Sequence, residues 1–366
     1  MALHEHSLPY VRAISPYQPG KPITQLAREM GLAVDQIVKL ASNENPLGMS
    51  PKARLAIEAA LPDLARYPDD FELKSALATH CGVDMSCLVL GNGSNDVLDL
   101  IARVFLAPGR SAIFSQYAFA VYPLATLSAG ATAIVVPAVD YGHDLAAMRS
   151  AIRADTRLIW IANPNNPTGT FLPYAELQAF LAAVPDEVVV VIDEAYNEYL
   201  PVEQRLDTGV WLASHPNLLL TRTFSKIYGL AGLRVGYALT SPVIADLMNR
   251  VRQPFNCNNL ALAAASAALG DDEFVARSFA LNAAGMRQIY DGLERLACRY
   301  IPSSGNFVTF KLAHAAQVYQ RLLRQGVIVR PLGGYAMPDW LRVTIGTAEE
   351  NARFLDALAT ALASAG

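Results

Sequence analysis

The sequence predicts an α/β protein, with a large part built on a mostly parallel sheet between helices and a smaller α+β part after it. Three observations predict this. The chain has 366 residues, too many for one simple core. Its middle alternates short, uniformly apolar runs with helical patterns, as strands buried on both faces do. Its last third mixes short strand signals with two helical ones, after a long helical stretch near residues 241–300.

The elements follow in order. The first forty-odd residues are punctuated by Ser15-Pro16-Tyr17-Gln18-Pro19-Gly20, which reads as an extended arm or loop. A helix starts at Ser50-Pro51, where serine can cap and proline suits the first helical position; its apolar faces run through Leu55, Ile57 and Leu61. Buried strands are expected over 88–90, 112–114, 133–136, 158–161, 188–192 and 218–220, with helices over 96–105 and 174–184. The tail adds strands over 307–312, 327–329 and 341–345 and helices over 315–325 and 349–363. The division that results is an N-terminal arm and small-domain segment over 1–48, a large domain over 49–245, and a linking helix with a small C-terminal domain over 246–366.

Composition narrows the function. Hydrophobic residues make up 52% and charged residues 17%, and the net charge is 29 − 33 = −4 with no basic stripe. That suits a well-packed soluble globule and gives nucleic acid nothing to bind. Cys81, Cys87, Cys257 and Cys298 show neither metal-ligand pairing nor a disulfide framework and read as ordinary thiols. The first ten residues carry His and Glu where a signal peptide needs a basic start and an apolar run. The Ala-rich run over 260–269 is too short to span a bilayer. A cytoplasmic protein with no membrane partner is the expectation.

In doubly wound sheets ligands bind beyond the carboxyl ends of the strands, and four predicted strands end in suitable polar residues. Leu90-Gly91-Asn92-Gly93-Ser94-Asn95-Asp96 is a glycine turn opening a helix, where free amides attract phosphate. Asp96 stands where a dinucleotide fingerprint has its third glycine, and the turn alone is also an ordinary capped turn. Asn163-Pro164-Asn165-Asn166-Pro167-Thr168-Gly169 is a rigid loop in which Asn166 can present an amide to a phenolate oxygen. Asp193, at the tip of a buried strand, is costly without a partner such as a protonated pyridine nitrogen, and Tyr196 is near enough in sequence to serve the same oxygen. Lys226 follows Thr221-Arg222-Thr223-Phe224-Ser225; a buried amine there can form an imine, while Thr223, Ser225 and Arg234 suit a phosphate.

The ordered set Asn163 to Gly169, Asp193-Glu194-Ala195-Tyr196, and Ser225-Lys226 followed by Gly232-Leu233-Arg234-Val235-Gly236 resembles fold type I aminotransferases dependent on pyridoxal 5'-phosphate (PLP). It is most similar to their histidinol-phosphate aminotransferase branch, over nearly the whole chain from Ser15 to Asn351. The resemblance implies that Lys226 is the Schiff-base lysine and the acid/base of the proton shift. Asp193 would pair with the pyridine nitrogen; Asn166 and Tyr196 would bind the ring oxygen. Ser94 and Asn95 through their amides, with Thr223, Ser225 and Arg234, would hold the phosphate, and Phe119 would stack on the ring. Tyr67 matches a residue that reaches the neighbouring subunit's cofactor, which implies a homodimer with shared active sites. Arg342 and Arg330 would clamp an acidic group of the substrate, with Tyr17, Asn43 and Asn306 around it. Phe119 departs from the tyrosine of many relatives, which leaves its role less fixed.

The reaction this implies is transfer of the amino group of L-histidinol phosphate to 2-oxoglutarate, in histidine biosynthesis. An aromatic amino-acid aminotransferase shares nearly every motif and would bring a carboxylate to Arg342. A decarboxylase of the same fold and a non-catalytic PLP-binding sensor are further readings, the last lacking room for a DNA-binding module outside Ser15 to Ala365.

Overall fold

The computed structural model describes residues 3–205 and 208–363. Its strands in chain order are β1 (Val38–Lys39), β2 (Leu88–Gly91), β3 (Ser111–Ser115), β4 (Thr132–Val136), β5 (Thr156–Ala162), β6 (Val189–Asp193), β7 (Leu218–Thr223), β8 (Gly236–Thr240), β9 (Tyr300–Ile301), β10 (Phe307–Lys311), β11 (Val327–Ile328), β12 (Arg330–Pro331) and β13 (Trp340–Thr344). Seven of them form the main sheet in the order β2-β8-β7-β6-β5-β3-β4. Six run the same way; β8 alone is antiparallel to both neighbours.

Side-chain alternation explains the layering, since successive residues of a strand point to opposite faces. Leu90, Ile113, Ile159, Ile161, Val190, Ile192 and Leu220 enter one apolar cluster. Val89, Phe114, Leu158, Trp160, Val191 and Leu219 enter the other. Both faces are covered, which is why these strands read as continuous apolar runs. β4 departs from the expectation of a buried strand. It is the edge of the sheet, and Val135 is 53% exposed.

The helix Pro51–Ala60 begins as expected, with Ser50 Oγ accepting from the Ala53 amide. Its apolar face does not. Only Ala53 is fully buried, against the helix Asn259–Leu269, while Leu55 and Leu61 are about half exposed. The arm has no regular structure over 13–22, as its prolines and glycine require, but it is followed by an unanticipated helix, Ile23–Met30. The stretch 241–300 resolves into three helices, Pro242–Val251, Asn259–Leu269 and Asp272–Arg295.

The C-terminal strands make a second sheet, β12-β13-β10-β9, which packs with the helices Ala315–Arg324 and Ala348–Ala363. β1 pairs in parallel with β11, so residues just before the first large helix are tied to this part of the chain. All four cysteines are free thiols and three are buried. Among the described residues no helix is long and apolar enough to cross a membrane.

Candidate active site

The carboxyl ends of β5, β6 and β7 and the turn after β2 open on one cleft of about 900 Å³ including its mouth. The same alternation that buries Val189 and Val191 carries Asp193 onto their face at the last position of β6. There it faces Thr221 of β7. Asp193 is 5% exposed and takes hydrogen bonds from Thr221 Oγ1 (2.9 Å), Tyr122 Oη (3.0 Å) and the Ala195 amide (3.3 Å). Burial holds its carboxyl above the usual range, and the two hydroxyls oppose that shift. Tyr122 is itself fixed, stacked on Trp160 with ring centroids 5.3 Å apart. Sequence reading missed Tyr122, because an aromatic in the helix Val121–Ser128 carries no signal beyond core packing.

An anion cradle lies at one end of the cleft. Gly93 caps the helix Ser94–Phe105 with φ of 83°, and the amides of Ser94 and Asn95 belong to its first turn, which has no intrahelical acceptor. A Cβ on Gly93 would stand 2.1 Å from Arg234 Nη2, so only glycine lets that guanidinium cross the turn. Arg234 Nη1 donates to Ser225 Oγ at 3.2 Å, and the Ser225 amide donates to Thr223 Oγ1 at 3.1 Å. Asp96 closes the turn instead of a third glycine, accepting from the Asn92 amide and from Asn256 Nδ2, each at 2.8 Å.

Lys226 sits three residues beyond β7. Its Nζ donates to the Ser42 carbonyl at 3.1 Å and lies 5.8 Å from the centre of the Tyr196 ring. Burial first, and the charge of Arg342 second, pull its amine from 10.5 down to about 8. The unfolded chain keeps the proton until near 10.5, so stability lost to this buried charge is regained as pH rises through 8 toward 10.5. Lys226→Met removes the penalty. Thermal midpoints of the ligand-free proteins should favour the variant most below pH 8, with the gap closing above it; a gap that is flat in pH would contradict this assignment.

Asn166 and Tyr196 also line the cleft. Asn166 Oδ1 accepts from Arg342 Nη1, which leaves its NH₂ for the cleft. Tyr196 Oη accepts from Asn43 Nδ2 at 2.8 Å, and burial pushes its phenol up to about 12. Arg342 is 5% exposed, donates also to the Ala41 carbonyl at 2.9 Å, and lies 5.2 Å from the Phe307 ring centre. Its Nε–H has no partner among the described residues. Arg330 stands directly opposite Arg342 in the β12–β13 pairing, holds the Gln18 carbonyl at 2.7 Å, and lies 5.5 Å from the Tyr17 ring centre.

The cleft is thus lined by Tyr17, Asn43, Ser94, Asn95, Phe119, Asn166, Asp193, Tyr196, Thr223, Ser225, Lys226, Arg234, Arg330 and Arg342, all anticipated from sequence. Ser42 and Tyr335 also line it and were not anticipated. Asn306 is a correction. It is 1% exposed, stands behind Asn43 with its Nδ2 on the Asn43 carbonyl at 3.1 Å, and does not line the cleft. Tyr67 lies away from the cleft of its own chain, 80% exposed and stacked on Phe255 at 4.5 Å. Among the described residues no cluster of His, Cys, Asp or Glu suits a metal ion.

The set fits one flat, anionic, nitrogenous group. It has a glycine-opened cradle for an anion, a buried carboxylate kept by hydroxyls, two donors converging from the side, and an amine. A family model of class I and II aminotransferases matches residues 35–358. The chain belongs to the class I and II aminotransferases. Similar aminotransferases span its length. Histidinol-phosphate aminotransferase 1 of Dechloromonas aromatica is 69% identical, over 99% of this chain and 100% of that one. Histidinol-phosphate aminotransferase 2 of Pseudomonas aeruginosa is 59% identical over 97% of each. Among solved structures, the histidinol-phosphate aminotransferase of Sinorhizobium meliloti in complex with pyridoxal-5'-phosphate superposes with a TM-score of 0.90, at 28% identity and over 98% of each chain. Thermus thermophilus aspartate aminotransferase, at 22–23% identity, shares the fold. An aminotransferase moves an amino group between carbon skeletons, and this cleft holds a lysine amine, a buried carboxylate and two arginines.

Proposed function

We propose that this aminotransferase binds PLP on Lys226 and transfers the amino group of L-histidinol phosphate to 2-oxoglutarate, giving imidazole-acetol phosphate and L-glutamate in histidine biosynthesis. The observation that carries the substrate is the pairing of Arg330 with Arg342 across neighbouring strands. Like charges directly opposite are unfavourable in a sheet, and a phosphate dianion between them turns that cost into binding. The near full-length identity to proteins named for this activity supports the same substrate.

When bound, the cofactor supplies an electron sink for the α-carbon of the substrate. The chain's residues do the rest. Ser94, Asn95, Thr223, Ser225 and Arg234 hold the phosphate, and Phe119 covers one face of the ring. Asp193, held by Tyr122 and Thr221, would keep a proton on the ring nitrogen. Asn166 and Tyr196 donate to the ring oxygen. The Lys226 amine, with its pKa near 8, is neutral often enough at neutral pH to take the α-proton and return it. Arg330 and Arg342 orient the substrate, with Tyr17 and Tyr335 at the mouth.

A homodimer and a cytoplasmic location belong to the same proposal, as does the division at residues 48 and 245. Leu55, Leu61, Leu64, Tyr67, Phe71 and Phe255 are all about half exposed or more and fall on neighbouring elements, a surface that a second copy would cover. Sedimentation should give twice the 39.5 kDa of the chain; a monomer at working concentration would contradict it. The β1–β11 pairing supports grouping residues before 48 with the C-terminal part.

The test of the substrate is a half-reaction titration. PLP-loaded protein is mixed with L-histidinol phosphate or L-phenylalanine, and loss of the lysine-linked cofactor's visible band is followed. Conversion at far lower histidinol phosphate is expected, and preference for phenylalanine would overturn the substrate. In the same assay Arg330→Ala should raise the KM for histidinol phosphate roughly 10- to 100-fold with kcat little changed, the worth of one hydrogen bond to a charged group. An unchanged KM would remove Arg330 from the site.

A further inference from the structure

Asn43 borders the cleft, yet every polar group it has is engaged elsewhere. Its amide N–H donates to Thr344 Oγ1 at 2.9 Å, and the Thr344 hydroxyl donates back to Asn43 Oδ1 at 3.1 Å. Its Nδ2 donates to Tyr196 Oη at 2.8 Å, and its carbonyl accepts from Asn306 Nδ2 at 3.1 Å. It is 1% exposed, with φ of 55°, a left-handed conformation that asparagine tolerates better than most residues. Its side-chain oxygen and one of its two side-chain N–H groups are thus tied up within the protein.

The direction of these bonds has a chemical consequence. Thr344 Oγ1 already accepts from the Asn43 backbone, so its own hydrogen is satisfied only by an acceptor, which is Asn43 Oδ1. That places the NH₂ of Asn43 against Tyr196. Tyr196 Oη then receives a hydrogen from Asn43, and its phenolic hydrogen is left to point into the cleft. With the amide turned over, Tyr196 would donate to Asn43 and face the cleft as an acceptor, and the buried Thr344 hydroxyl hydrogen would lose its partner.

We propose that Asn43 and Thr344 are positioning residues that fix Tyr196 as a hydrogen-bond donor toward the cofactor's ring oxygen. This rests on the reading of the cleft as a PLP site, and it replaces the substrate contact assigned to Asn43 from the resemblance. It also explains why the arrangement is built from separate parts of the chain. Thr344 ends β13, Asn43 follows β1 and Tyr196 follows β6, so Tyr196 is set correctly only when the small sheet is seated on the large one. Asn306, which the cleft does not need as a wall, anchors the Asn43 carbonyl from the start of β10.

The test reads the cofactor rather than turnover. The visible absorbance of the PLP-loaded protein is titrated with pH, and the midpoint reports how firmly the lysine–cofactor nitrogen keeps its proton. A donor at the ring oxygen draws off negative charge and lowers that midpoint, so losing the donor raises it. Thr344→Val keeps the size and removes the hydroxyl, and Asn43→Asp keeps the shape but forces Tyr196 to donate to residue 43. Each should raise the midpoint by about 0.5–1 pH unit, the scale of one hydrogen bond. Thr344→Ser should restore it. Tyr196→Phe should raise it as well, and Thr344→Val added to Tyr196→Phe should add nothing. An unchanged midpoint in Thr344→Val and Asn43→Asp, or shifts that add to that of Tyr196→Phe, would overturn the proposal. Asn43→Asp decides alone should Thr344→Val fail to fold. A wild-type protein that gains no visible band with PLP would overturn the cofactor reading beneath it.

Discussion

Lys226→Ala is expected to lower the half-reaction rate by at least about 10⁴-fold. A positioned general acid–base group is worth roughly 10²–10⁴ on its own, and here the same amine also anchors the cofactor. No other amine takes its place among the residues lining the cleft: the other basic groups there are the guanidiniums of Arg234, Arg330 and Arg342. The loss should fall on kcat, because the phosphate cradle of Ser94, Asn95, Thr223, Ser225 and Arg234 is untouched and PLP should still bind without its lysine-linked absorbance. Single-turnover kinetics with histidinol phosphate reads both. A variant that keeps more than about a hundredth of the rate would place the proton transfer elsewhere.

Asp193→Asn should cost about two to three and a half decades in kcat. Breaking a buried ion pair by neutralising one partner costs about 3–5 kcal/mol, and each decade is roughly 1.4 kcal/mol. The substitution keeps the shape, and Thr221 and Tyr122 keep a possible oxygen acceptor, so the loss reports charge rather than packing. Tyr122→Phe is the graded comparison. It removes one of three hydrogen bonds to the carboxylate and should cost about tenfold or less. Equal rates for Asp193→Asn and the wild type would mean that the ring nitrogen is not protonated through this residue.

What the sequence could reveal follows from where each signal originates. The strands β3, β5, β6 and β7 read correctly because both faces are buried, so each carries a continuous apolar run. β8 was missed because it begins at Gly236 and contains Tyr237 and Thr240, a pattern hidden inside the motif that carries Arg234. β12 is only two residues long and has no period to read. The edge position of β4 and the outward Leu55 of the helix Pro51–Ala60 depend on what packs beside them, which no local pattern records.

The candidate site divides in the same way. Residues at strand tips and in tight turns, such as Asp193, Asn166, Ser94 and Lys226, stand out against apolar or glycine-rich surroundings. Their partners do not. Tyr122 reaches Asp193 across 71 positions, and Asn43 meets Thr344 across 301. Asn306 was placed in the site by resemblance, and its position one layer behind is set by the register of β10 against β13.

The most direct test of the account is to map the lysine. PLP-loaded protein is reduced with borohydride, digested and sequenced by mass spectrometry. A stable pyridoxyl group on Lys226 alone is the predicted result. Label on another lysine, or none after reduction, would contradict the assignment of this cleft as the place where the amino group is moved.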